Sequence, residues 1–253
     1  MMNRRSFLSA LPALALLPYT AGAKNAKLEL LPQFVYAWNA TQKGVPAPTL
    51  AGKLARRPGM TVLLASAGKS ATSYPAYADT LRNAGVRVGG VIANNEYVHP
   101  ERLADFKQGV TVAARHANEV HLDVEPQVLP DFRERREYYI RRLAHIAGVA
   151  KRMAGDKPVS VAVPYWFTLA ETQVIAQQAD VIHLMTYGLA GAERKAARLA
   201  AIRAKLGDSR VVLTLRATDF STQVELAAWA LQLSSGKTIP VSVHEYLAYS
   251  ALG

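Results

Sequence analysis

The sequence contains no cysteine among its 253 residues. This absence excludes disulfides, thiolate nucleophiles, iron–sulfur clusters and cysteine-ligated zinc. The chain also lacks a phosphate-binding loop and a glycine-rich dinucleotide fingerprint, so we expect no cofactor. Half of the residues are hydrophobic, which is ample for an apolar core that holds a single domain of this length without cross-links.

Long apolar runs are also missing. The run at 9–18 is well short of the roughly 20 residues that a bilayer requires. It lies between a basic pair, Arg4-Arg5, and small residues that end at Ala23, which is typical of a cleaved signal peptide. The paired arginines before Ser-Phe-Leu resemble a twin-arginine export signal, with an ordinary secretory signal as the alternative. We therefore predict that 1–23 is removed, that 24–253 is periplasmic or secreted, and that the mature chain has no transmembrane segment.

Acidic residues are scarce relative to basic ones, 19 against 30, which gives a net charge of +11. Loss of Arg4 and Arg5 with the signal would leave 11 − 2 = +9. Such a surface favours an anionic partner, for example an acidic polysaccharide. A basic protein without any specific polyanion partner is the alternative. Because the chain carries an export signal, we do not expect nucleic acid as a partner.

From Gln33 onward, short β-branched runs alternate with amphipathic segments. The predicted strands are 33–39, 60–67, 86–94, 119–125, 158–166, 180–187, 210–217 and 239–246. The predicted helices are 49–57, 74–84, 100–117, 131–154, 168–179, 191–206 and 221–234, with a short eighth helix from Ala248. Such alternation implies parallel strands with right-handed crossovers. Eight units without a dinucleotide fingerprint predict a single (β/α)8 TIM barrel of the α/β class.

Helix ends are marked by local signals. Thr168 with Glu171, and Asp131 with Glu134, have the spacing of a capping box and predict two helix starts. A residue with a left-handed conformation often ends a helix, and glycine adopts it most readily. Five glycines lie between a predicted helix and the next strand: Gly59, Gly85, Gly155, Gly207 and Gly236.

The fourth predicted strand ends in acidic residues. Side chains alternate along a strand, so His121, Asp123 and Glu125 share the face that we expect to point into the barrel. Sites in such barrels lie at the C-terminal ends of strands. Two neighbouring carboxylates favour retention of one proton, which suits a general acid near neutral pH. The alternative is a structural acidic pair that closes the barrel end with Arg216 or His121.

The sixth predicted strand places His183, Met185 and Tyr187 inward by the same alternation, with the Tyr187 hydroxyl at the mouth. Asp-x-Glu at the end of strand four, together with Met-x-Tyr at the end of strand six, resembles the barrels of glycoside hydrolase family 18, the chitinases and their relatives. The resemblance implies that Glu125 is the general acid/base. It also implies that Asp123 orients a substrate N-acetyl group, which acts as the nucleophile, and that Tyr187 hydrogen-bonds that group.

Leu-Asp-Val-Glu at the end of strand four is also similar to the fourth strand of family 25 lysozymes. The chain departs from the family 18 pattern where His121 stands in place of an Asp and Gly188 in place of an acid. The family's strand-eight Trp has no evident counterpart, with Tyr246 and Tyr249 the nearest aromatics. These departures motivate a second hypothesis, a non-catalytic glycan-binding barrel.

Other strand ends offer side chains that could bind a sugar. Aromatic faces stack on sugar rings, while amide and guanidinium groups bind hydroxyls or acidic groups. Glu245 would be a second catalytic carboxylate if it faced Glu125 across the mouth, and the distance between the two would then set retention or inversion. The predicted substrate-binding residues are Trp38, Asn39, Asn94, Tyr165, Trp166, Arg216, Glu245 and Tyr246.

The sequence thus predicts an exported glycosidase-like hydrolase that acts on a bacterial polysaccharide or other glycan. Its predicted catalytic residues are Glu125, Asp123 and Tyr187, and no metal is expected. A metal-dependent hydrolase is the third hypothesis. It would use side chains that could meet in space, although no sequence spacing requires them to do so, namely His121, Asp123, His183 and His244.

Overall fold

The structure is a computed structural model. It describes residues 32–38, 44–55, 57, 59–66 and 73–252. The predicted signal peptide at 1–23 and the predicted sugar ligand Asn39 lie outside the described residues. None of the helices in the described part of the chain combines the length and apolar composition that a membrane crossing requires.

Eight parallel strands form a closed barrel in sequence order, and β8 pairs with β1 through Tyr36 and His244. This confirms the predicted (β/α)8 fold. The strands are β1 (Phe34–Tyr36), β2 (Thr61–Ala65), β3 (Arg87–Ile92), β4 (Glu119–Leu122), β5 (Val159–Pro164), β6 (Val181–Met185), β7 (Val211–Arg216) and β8 (Val241–His244). The α-helices are α1 (Ala47–Leu54), α2 (Tyr74–Asn83), α3 (Leu103–His116), α4 (Arg136–Ala154), α5 (Leu169–Ala176), α6 (Ala192–Leu206), α7 (Gln223–Leu233) and α8 (Tyr246–Ser250).

The outward faces of the strands form the main core. Val120 and Leu122 of β4, and Leu213 and Leu215 of β7, are buried in one cluster with the apolar faces of the surrounding helices. A parallel barrel covered by helices requires apolar, mostly β-branched residues on this face. Because the outward strand faces are buried against the helices, runs of β-branched residues in the sequence correctly predict the strands.

The inward faces carry a different set of residues. His121, Ser160 and His183 are buried inside the barrel, where bulky branched side chains are usual. Gly89 of β3 lies opposite Glu119 of β4. A methyl group at position 89 would lie 2.5 Å from Leu63 Cδ2 and 3.1 Å from Glu119 Cγ. Glycine therefore leaves the space that the Glu119 side chain occupies.

The helix-end signals gave two different outcomes. The capping box of Thr168 and Glu171 is present, and all five predicted glycines have positive φ. The capping box predicted at Asp131 is wrong, because α4 begins only at Arg136. The Asp131 carboxylate instead accepts hydrogen bonds from the Tyr139 hydroxyl (2.7 Å) and from Arg135 (3.1 Å). These contacts hold the segment before α4 in turns.

Candidate functional site

A cavity of about 830 Å³ opens at the C-terminal ends of the strands. Asp123 and Glu125, which follow β4, lie in its wall together with Trp38, Tyr97 and His244. The mouth therefore joins two carboxylates and aromatic side chains in one concave space, the arrangement expected of a small-molecule or glycan site.

Local contacts position Glu125. Its backbone N–H donates to Asn95 Oδ1 at 2.7 Å, and the Gln127 side-chain amide donates to its Oε2 at 2.6 Å. The side chain is partly buried, and this burial raises the pKa of Glu125 above the ordinary value of 4.5. A carboxyl group in this setting can keep a proton under conditions in which an exposed glutamate is charged.

Asp123 lines the same cavity as Glu125, whereas Tyr187 is not among the lining residues but lies near enough to both carboxylates for their charges to affect its pKa. Burial and the neighbouring Glu125 charge raise the pKa of Asp123 to about 7. Burial, with further contributions from the charges of Asp123 and Glu125, raises the pKa of Tyr187 well above its usual value. Tyr187 therefore keeps its hydroxyl proton and can donate a hydrogen bond near both carboxylates.

The segment after β6, which carries Tyr187, is tied to its neighbours. Lys195 Nζ donates to the carbonyl oxygens of Tyr187 (2.8 Å) and Gly188. The Gly188 N–H donates to Asp219 Oδ2 at 2.6 Å, and Arg216 donates to Asp219 Oδ1 at 2.6 and 2.9 Å. One aspartate thus links the loops that follow β6 and β7.

His244 links the aromatic side chains of the mouth. Trp38 Nε1 donates to His244 Nε2 at 2.9 Å, and the His244 ring centroid is 5.8 Å from that of Tyr187. Burial lowers the pKa of His244, which keeps the ring neutral and its Nε2 free to accept the tryptophan N–H. Trp38 is therefore held by a defined contact in the cavity wall.

The other predicted sugar ligands are divided between the mouth and its surroundings. Asn94 lines the cavity, although its Oδ1 also caps the 3-10 helix Asn95–Val98 by accepting from Glu96 N. Arg216 lies beside the Tyr187 ring at 5.6 Å while it binds Asp219. Tyr165 and Trp166 are not among the residues that line the cavity.

Trp166 and Tyr165 instead contact helices. The Arg136 guanidinium of α4 lies 5.2 Å from the Trp166 ring, and Lys195 Nζ lies 5.3 Å from the Tyr165 ring. Trp166 keeps 44% of its surface exposed. These two aromatics therefore border the mouth of the barrel without reaching the two carboxylates.

Two predicted residues have other roles. Glu245 does not face Glu125, because its carboxylate caps α8 by accepting from Leu247 N (3.3 Å) and Ala248 N (3.0 Å). This cap also starts the last helix earlier than the predicted Ala248. Tyr246 is 6% exposed and packs in the core cluster beneath β1 and β2. The two-carboxylate arrangement with Glu245 is therefore not formed.

The histidines considered for a metal do not meet as the sequence suggested. His121 and His183 do come together, with ring centroids 4.7 Å apart. Their potential metal-binding atoms and one from Glu119 all lie within 4.8 Å of one another, deep in the barrel. Asp123 and His244 belong to the mouth instead, where they line the cavity.

Several residues support the site in ways that the sequence analysis did not predict. Asn95 and Gln127 hold Glu125, and Asp219 and Lys195 hold the Tyr187 segment. Gln127 could have been found from its position two residues after Glu125. Asp219 and Lys195 had no usable signal for this role, because the groups that they hold in the Tyr187 segment are backbone atoms.

Comparisons with known proteins identify the architecture. No family model and no curated protein sequence matches the chain. Among solved structures, the PgaB (BpsB) glycoside hydrolase domain from Bordetella bronchiseptica is 13% identical, with a TM-score of 0.59 over 85% of this chain and 94% of that one. A chitinase from Chromobacterium violaceum is 13% identical, with a TM-score of 0.52 over 73% and 68%.

A third barrel has a different activity. The D-allulose 3-epimerase from a Methylomonas species is 15% identical, with a TM-score of 0.53 over 84% of this chain and 83% of that one. At such low identities these likenesses show the fold alone. The structural neighbours thus include glycoside hydrolase domains with the same barrel, but the function must be argued from the site.

Proposed function

We propose that the chain is an exported glycosidase-like hydrolase that acts on a glycan at the mouth of its barrel. The observation that carries this proposal is the placement of Asp123 and Glu125 in the wall of one open cavity beside aromatic side chains. Inward acids at a strand end are costly to bury without a partner or a task. Here the cavity gives them access to a ligand.

In this proposal Glu125 is the general acid. Its proton passes to the leaving glycosidic oxygen as the bond to the anomeric carbon breaks. A water molecule then supplies the hydroxyl on that carbon and returns its other proton to Glu125. The raised pKa of Glu125, caused by burial, favours the protonated form that this step requires. Asp123 steadies the nucleophile or the positive charge that develops on the sugar, and Tyr187 donates a hydrogen bond to the substrate.

A glycan is the substrate class that fits the remaining features. Trp38 and Tyr97 in the cavity wall offer aromatic surface, and Asn94 offers an amide for sugar hydroxyls. The net charge of the chain favours a polysaccharide with acidic groups. Two structural neighbours, a glycoside hydrolase domain and a chitinase, are consistent with this class of reaction. The predicted export signal would place the enzyme where such polymers occur.

The test is product release from a panel of envelope and matrix polysaccharides by the full chain and by Glu125→Gln. We expect Glu125→Gln to lose about 10²–10⁴-fold in kcat, because the amide cannot deliver a proton. Glu137→Gln, on the exposed outer face of α4, is the matched control and should retain activity. Full activity in Glu125→Gln would contradict the proposal.

A non-catalytic glycan-binding barrel is the second candidate. It is favoured by the engagement of Glu245 in the cap of α8 and by Gly188 in the position where the resembled family has an acid. It predicts oligosaccharide binding, measured by calorimetry, without product formation by the unsubstituted chain. Turnover that is lost in Glu125→Gln would exclude it, and turnover that is lost with a chelator while the chain stays folded would instead favour the metal-dependent hydrolase.

A further inference from the structure

A second cluster of polar side chains lies inside the barrel, away from the carboxylates of the mouth. Glu119, His121 and His183 are 6%, 0% and 0% exposed. One potential ligand atom from each lies within 4.8 Å of the other two. Two imidazoles and one carboxylate form a donor set that zinc and related divalent transition metals commonly take.

Within this cluster, His183 gives the strongest evidence for a bound ligand. Both of its ring nitrogens are buried without a hydrogen-bond partner in the described part of the chain. The buried hydroxyls of Thr214 on β7 and Ser242 on β8 are also unpaired there. Buried polar atoms are almost always paired in native proteins, and an exception often marks the place of an ion or an ordered water. The unpaired imidazole therefore points to a ligand inside the barrel.

We propose that Glu119, His121 and His183 form a binding site for one divalent transition metal ion, of which zinc is the representative. This site is separate from the proposed glycosidase site, and its existence does not depend on that activity. Because its ligands come from β4 and β6, a bound ion would join two strands that are not neighbours in the sheet. The ion would thereby stabilise the interior of the barrel.

The contacts of His121 indicate which of its nitrogens would bind the ion. Nδ1 lies 2.7 Å from Ser160 Oγ, which in turn donates to Glu119 Oε1 at 3.3 Å, so Nδ1 is on the carboxylate side. Nε2 lies 2.7 Å from the Tyr36 hydroxyl oxygen. An ion on Nδ1 would replace the hydrogen bond to Ser160, and the ring proton would then reside on Nε2 and be donated to Tyr36. Metal-binding histidines are usually oriented by such an outer hydrogen bond.

One member of the cluster borders a cavity at the end of the barrel opposite the mouth. Glu119 lines a cavity of about 530 Å³ there, together with Phe34, Thr61, Arg57 and Arg87. The positive charge of Arg87 lies near the Glu119 carboxylate and would compete with a cation for it. Arg87→Gln should therefore tighten zinc binding by roughly threefold to tenfold, whereas weaker binding in that variant would contradict the site.

The experiment uses the full chain without a histidine tag. The protein is stripped with EDTA, dialysed and titrated with zinc chloride. Bound zinc is counted by mass spectrometry, and thermal unfolding is followed in parallel. We expect one zinc per chain and a rise in Tm of about 5 °C or more at a zinc concentration 100-fold above Kd.

Glu119→Gln and His183→Gln test the assignment, with His116→Gln on the outer surface as the control. Both interior variants should lose the zinc-dependent rise in Tm, and the control should keep it. No bound zinc in the unsubstituted chain, or an undiminished rise in both interior variants, would overturn the proposal.

A measurement on the unsubstituted chain covers the case of a variant that does not fold. The ¹⁵N resonances of the His121 and His183 rings should shift on addition of one equivalent of zinc, while that of His116 should not. Unchanged ring resonances of His121 and His183 would likewise overturn the proposal.

Discussion

The two faces of the barrel strands follow different rules. The outward face of β7, with Leu213 and Leu215, packs against helices and carries only apolar side chains. The inward faces carry His121, His183 and Thr214, all fully buried. On the outer face a residue needs only to be apolar and of suitable size. On the inner face each polar group needs a particular partner, so this face is where specific chemistry can be held.

The first and largest expected effect concerns the outer face. Leu213→Ala should lower the free energy of unfolding by about 2–5 kcal/mol, because it leaves a cavity in the layer between β7 and the helices. Urea unfolding followed by circular dichroism measures this change. Leu213→Met, which conserves volume, should cost less than about 1.5 kcal/mol. An equal loss in both variants would show that the outer face also depends on detailed fit.

The second prediction concerns a hydrogen bond on the inner face. Tyr36→Phe removes the hydroxyl that lies 2.7 Å from His121 Nε2 and leaves that nitrogen buried without its partner. We expect a loss of about 1–3 kcal/mol in the free energy of unfolding. Tyr138→Phe, on the partly exposed side of α4, is the control and should change stability by less than about 0.5 kcal/mol. If Tyr36→Phe were as stable as the unsubstituted chain, polar groups on the inner face would not need particular partners, and the two faces would not differ in this respect.

The third prediction is a pH dependence at the mouth. The general acid must be protonated, so kcat/KM on an identified glycan should fall about tenfold per pH unit above the pKa of Glu125. Burial raises that pKa, so the midpoint of the decline should lie above the ordinary value of 4.5. A pH–rate profile provides the measurement. If the decline in kcat/KM were centred at or below the ordinary glutamate pKa, the general acid would be a group other than Glu125.

The smallest expected effect tests the placement of Glu245. Glu245→Ala removes the cap of α8, the final short helix, and should cost about 1 kcal/mol in the free energy of unfolding. Activity should stay within a few fold, because the Glu245 carboxylate contacts backbone N–H groups rather than the cavity. A loss of activity comparable to that of Glu125→Gln would restore Glu245 as a second catalytic carboxylate.

Much of the barrel could be predicted from the sequence because burial on the outer face imposes a regular pattern. The β-branched runs located all eight strands, and the alternation along β4 indicated that His121, Asp123 and Glu125 share a face. Asp123 and Glu125 do lie in one cavity wall. Their predicted catalytic roles stay predictions, since placement alone does not test them.

The predictions failed for side chains that could bind either a local partner or a distant one. Glu245 was predicted from its strand end, but two free backbone N–H groups of α8 lie closer than the mouth. Asp131 had capping-box spacing, yet its carboxylate accepts hydrogen bonds from the Tyr139 hydroxyl and from Arg135 instead. Glu119 shares the inward face of His121 by the same alternation as Asp123. The spacing could not show that Glu119, rather than Asp123, lies beside His183, because that depends on the level of the barrel interior that His183 occupies.

The bridge made by Asp219 has a consequence for recognition. Arg216, Gly188 and Lys195 immobilise the backbone that presents Tyr187 before any substrate arrives. The conformational entropy of this segment is therefore lost during folding and not again during association. A sugar that contacts Tyr187 would gain affinity from this preorganisation, and Asp219→Ala should raise KM through increased loop motion even though Asp219 is not among the residues that line the cavity.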